Sequence, residues 1–77
     1  MTPEYVRAAY EAAVIEHLRA YPGLSEFTIA RATGMGRGQV LGALRRLSAA
    51  GRVTWTAGRY DFGGSRTARL YSAASSP

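Results

Sequence analysis

The sequence has no cysteine and no lysine, and it carries a single histidine and five acidic residues among its 77. Without Cys there is no disulfide and no thiolate metal site. One His (His17) and a few scattered carboxylates do not make a zinc centre. No apolar run approaches the roughly 20 residues that a membrane-spanning helix needs. The N-terminus lacks a basic segment followed by an apolar stretch, so no secretory signal is expected and a soluble cytoplasmic protein is. No motif sets a nucleophile beside a base, so no enzyme, cofactor or small-molecule ligand is expected. A chain this short buries only about 60% of its unfolded surface. Its stability has to come from a compact apolar core, or from one shared between two copies.

What is present is arginine. All ten basic residues are Arg, giving a net charge of +5. Their placement is uneven. Residues 1–26 hold four Glu against two Arg, a net of −2. Residues 27–77 hold eight Arg against Asp61 alone, a net of +7. A basic C-terminal two-thirds suits a polyanion partner.

The apolar spacing predicts three helices followed by a two-stranded hairpin, an α+β fold that is mainly helical. The first helix covers about residues 3–20, with Thr2 as N-cap and Pro3 in the first helical position. Val6, Tyr10, Ala13, Val14, His17, Leu18 and Tyr21 share one broad face. Pro22-Gly23 stops it. The second helix covers about 25–33, capped by Ser25 and ended by Gly34, with Ile29 and Ala30 inward. The third covers about 36–50, with Val40, Ala43, Leu44 and Leu47 as its stripe and Gly51 as its stop. A strand pattern then begins: Val53 and Trp55 alternate with Thr54 and Thr56. "TARLYSA" is the return strand, with Ala68, Leu70 and Ser72 expected on one face and Arg69 and Tyr71 on the other. This hairpin covers about 52–72. Trp55 is expected in the core and His17 packed against its neighbours. Residues 1–73 read as one domain and 74–77 as a flexible tail.

"TGMGRGQVLGALRRL", residues 33–47, sets four glycines among three arginines. A nucleotide-binding phosphate loop needs a strand before it, and "FTIARAT" reads as helix. The G-x-G-x-G spacing also fits neither the Walker nor the dinucleotide pattern. Taking Val40 as the core direction, Gly38, Gly42, Arg45 and Ala49 fall between about 140° and 200° away, on the outward face of the third helix. Glycine inside a helix costs about 1 kcal/mol relative to Ala, so this face invites a functional reading.

Together these elements resemble the winged helix-turn-helix family of DNA-binding domains. The residues that carry the resemblance are "LSEFTIARATGMGRGQVLGALRRLSAAGRVTW", residues 24–55. They are Leu24-Ser25, Ile29-Ala30, Gly34, Val40, Leu44 with Leu47, and Gly51-Arg52-Val53, with "ARLY" as the wing's return strand. The small PadR-like and MarR-like repressors and many phage and plasmid regulators are similar. Such recognition helices usually start with Ser or Thr as N-cap, where this chain has Gly36.

The resemblance implies a transcriptional regulator that binds double-stranded DNA with its third helix in the major groove and its wing on the backbone. The residues it points to are Thr28, Arg37, Gly38, Gln39, Gly42, Arg45, Arg46, Arg59, Arg66 and Arg69. Arg37, Gln39 and Arg45 are the long reach toward base edges. Arg46 and the wing arginines hold phosphates, which position without specifying sequence. Tyr60 and Phe62 either touch sugar and base edges or fold back on the core. Tyr5, Val6, Ala9 and Tyr10 extend the first helix and form a candidate homodimer interface, or else cover the wing strands. The alternative function is a protein-interaction module that uses the Gly38/Gly42 face.

Overall fold

The computed structural model describes residues 3–59 and 66–74. The order is α1 (Glu4–Ala20), α2 (Glu26–Thr33), α3 (Arg37–Ala49), β1 (Val53–Arg59) and β2 (Thr67–Ala73). This is the expected α+β arrangement, with a winged-helix-like topology.

The helix ends follow local chemistry. Pro3 is the N-cap of α1, with φ −58° and ψ 150°, so the helix proper begins one residue later than Pro3 suggested. Thr2 lies outside the described residues. Ser25 caps α2, its hydroxyl accepting from the Thr28 amide at 3.4 Å. Gly36 has no side chain with which to cap α3. Gln39 supplies the other half of the usual exchange, its Oε1 accepting from the Gly36 amide at 2.9 Å. α3 closes in a Schellman turn: Arg52 N donates to Leu47 O at 2.8 Å and Gly51 N to Ser48 O at 3.0 Å. That turn requires the left-handed residue Gly51, at φ +71°.

The core is Val14, Ile15 and Leu18 of α1, Ile29 of α2, Val40, Ala43, Leu44 and Leu47 of α3, and Val53 and Tyr71 of the hairpin. The α3 stripe is the expected one. The α1 stripe is rotated: Ile15 is buried, while Ala13 and Tyr21 are exposed. Tyr21 already lies beyond the last helical turn. There its ring sits 5.1 Å from that of half-buried His17.

The strands pair antiparallel, with Val53 opposite Ala73, Trp55 opposite Tyr71 and Ala57 opposite Arg69. Directly opposed residues share a face. Val53, Trp55, Tyr71 and Arg69 therefore stand on the core side, and Leu70 and Ser72 on the other. These are the two groups expected for β2, and the structure shows that the group with Arg69 and Tyr71 is the inward one. The cause is a third line of chain. Leu24 and Tyr71 exchange amide hydrogen bonds at 3.0 and 2.8 Å, which docks β2 against the α1–α2 connection and turns Tyr71 inward. β1 is left as the outer edge. Trp55, on β1 and past the end of the helical body, is 45% exposed rather than in the core. At the foot of the hairpin Ala74 N donates to Arg52 O at 2.9 Å, so residue 74 continues the pairing.

No helix among the described residues is long and apolar enough to cross a membrane. Among the same residues no cluster of His, Cys, Asp and Glu could hold a metal ion.

Candidate nucleic-acid interface

The buried stripe of α3 fixes where its remaining side chains point. α1 runs along one flank and α2 along the other. On the α1 flank, Gln39 Nε2 donates to Tyr10 Oη at 2.9 Å, and Arg46 Nε donates to Glu11 Oε2 at 3.2 Å. On the α2 flank, Arg37 Nη2 donates to Glu26 Oε1 at 3.2 Å. The same guanidinium lies 4.1 Å over the centre of the Phe27 ring.

Between the flanks is the outward face. Gly38, Arg45 and Ala49 are exposed and Gly42 is half-buried. A methyl group added at Gly38 would meet nothing within 4 Å. At Gly42 it would meet only the flexible end of Arg46, at 3.3 Å from Nη1. Neither glycine is demanded by packing inside the chain, so another body could approach the helix backbone closely here. Arg45 forms no ion pair with any described residue.

The ten sequence-derived residues therefore fall into distinct groups. Gly38, Gly42 and Arg45 form the outward face. Arg37, Gln39 and Arg46 border it, each tied to a neighbouring helix. Gln39 uses both ends of its amide within the chain, so its reach toward a base edge is restrained. Thr28 sits at the start of α2, bonded to Ser25. Arg59, Arg66 and Arg69 are exposed on the hairpin, away from α3 in the chain. Arg69 is not a free cation, because its guanidinium lies 4.3 Å over the Trp55 ring. Tyr60 and Phe62 lie outside the described residues. On α1, Tyr5 and Ala9 are exposed, whereas Val6 is half-buried and Tyr10 is drawn inward to Gln39.

One residue of this surface was not picked out from sequence. Arg7 lines a groove between α1 and α3 with Tyr10, Gly38, Gln39, Gly42 and Arg46. The signal existed: Arg7 lies seven and eleven residues before Val14 and Leu18, the spacing of a shared helix face. Trp55 was picked out, but as a core residue. Strand alternation assigned its side correctly, but alternation does not say how far a strand overhangs the body.

Exposed ion pairs such as Arg37–Glu26 contribute roughly 0–1 kcal/mol to stability. Their effect is to hold two cations beside the outward face in fixed directions. Compared with known proteins, the chain matches no family model, no curated protein and no solved structure.

Proposed function

We propose that this chain is a DNA-binding regulator of the winged-helix type, with α3 entering the major groove and the hairpin lying along the backbone. The observation that carries the reading is the outward face of α3. Its small residues clear the way for close approach, Arg45 extends from it, and Arg37 and Arg46 stand on either side. A regulator needs little more than this together with the basic balance of the C-terminal two-thirds. Arg45 is the base-reading candidate, since guanidinium pairs bidentately with guanine. Arg37, Arg46, Arg59 and Arg66 serve the phosphates. We further propose that two copies meet through the exposed end of α1, where Tyr5 is 77% exposed. A protein that sediments as a monomer at high concentration would remove that part.

The groove between α1 and α3 favours a second reading, a protein-interaction module that seats a partner segment on Gly38 and Gly42. Titration of a random-sequence duplex at rising salt separates the two. A DNA binder loses affinity steeply as counterions are released, with a log–log slope of about −0.9 per phosphate contact. An adaptor for proteins shows no duplex binding at moderate salt.

A further inference from the structure

The only tryptophan of the chain stands on an edge strand with nearly half its surface in solvent. It is not isolated. Arg69 reaches across from β2 and covers the ring at 4.3 Å. Further out, Arg59 ends β1 and Arg66 immediately precedes β2, and Arg52 precedes β1 at the foot. Among the described residues from 52 onward there are four Arg and no acid. On the face that carries Trp55, its β1 neighbours are Val53 and the short Ala57, and Tyr71 and Arg69 stand across from it. The result is a half-exposed indole with a guanidinium over its ring, in a hairpin whose described charges are all positive.

A wing that only touches phosphates needs arginines and has no use for an indole. Every unpaired base has a flat face, whereas the bases of a duplex are stacked on one another. Aromatic platforms beside a basic track are the way proteins hold single strands without reading sequence. We propose that the Trp55–Arg69 face of the hairpin stacks an unpaired nucleobase, so that the chain binds single-stranded or locally opened DNA through the hairpin. The inference rests on the reading of the chain as a DNA binder, but it concerns a different face and a different form of the strand.

The test uses the full chain, a twelve-residue oligothymidylate and a random duplex of the same length. Binding is followed by the anisotropy of labelled DNA and by the emission of Trp55, which has no other tryptophan to obscure it. Oligothymidylate should quench Trp55 saturably at low salt. Trp55→Ala should weaken its binding about tenfold or more, the size of one lost base stack, and change duplex binding less than about threefold. Trp55→Phe keeps a ring and should lie between the parent and Trp55→Ala. An unchanged melting temperature of Trp55→Ala shows that the loss is not unfolding. Gly38→Glu, on the α3 face, should spare the oligothymidylate. Single-strand binding that leaves Trp55 emission unchanged and survives Trp55→Ala overturns the inference. So does duplex binding with no single-strand binding, which leaves the α3 reading intact. Binding of neither overturns both.

Discussion

The helical body and the hairpin meet solvent in different ways. Eight of the ten core side chains come from the helices and two from the hairpin. α1 and α3 each bury a stripe, α2 buries Ile29, and ion pairs tie α3 to both other helices. Among the described residues of the hairpin, those buried are Val53 and Tyr71, near its foot. Above Trp55 its described residues are exposed or half-exposed on both faces. Stability therefore resides in the body, and the described outer part of the hairpin leaves its side chains in solvent.

Substitutions should separate the two regions by size of effect. Leu44→Ala should cost about 2–5 kcal/mol in denaturant unfolding, as buried Leu truncations do. In a small domain that can approach the whole stability. A loss below ~1 kcal/mol would mean the α3 stripe is not the centre of the core. Tyr71→Ala should cost about 3 kcal/mol, because it removes the side chain that joins hairpin to body. A near-neutral result would make the hairpin an independent appendage.

Smaller effects sharpen the contrast. Gly34→Ala forces a side chain into the left-handed turn at φ +71° and should cost about 1–2 kcal/mol. Gly38→Ala adds a methyl to open space on a helix and should stabilise by about 0.5–1 kcal/mol. A destabilising Gly38→Ala would reveal a neighbour close to this face. Trp55→Ala should change unfolding free energy least, within about 0.5 kcal/mol. A cost comparable to that of Tyr71→Ala would place Trp55 in the core after all and erase the distinction between the regions.

The same division explains what could be read from the sequence. Helix ends were legible because Ser25, Gly34 and Gly51 carry their own chemistry. The α3 stripe was legible because four apolar residues recur at helical spacing, with Leu41 the one large apolar residue beside them and only half-buried. The α1 stripe was not, since Ile15 lies next to Val14 and either edge of a broad face can turn inward. The hairpin was half legible. Period two identified the strands, but which face of β2 is buried depends on Leu24, some 47 residues earlier in the chain. The site was legible as a set of arginines. Their restraints were not, because Glu11, Tyr10 and Glu26 lie on other helices, 35, 29 and 11 residues from the side chains they hold.

The proposed contact with DNA is the outward face of α3. Its most direct test is the affinity of Gly38→Glu for a random duplex, measured beside the parent at several salt concentrations. The new side chain starts in open space and replaces a poor helix former, so the melting temperature should not fall. A carboxylate on this face would stand against phosphates, and duplex binding should be lost at every salt concentration at which the parent binds. A folded Gly38→Glu that binds duplex as tightly as the parent, with the same salt slope, would contradict the account and move the interface off α3.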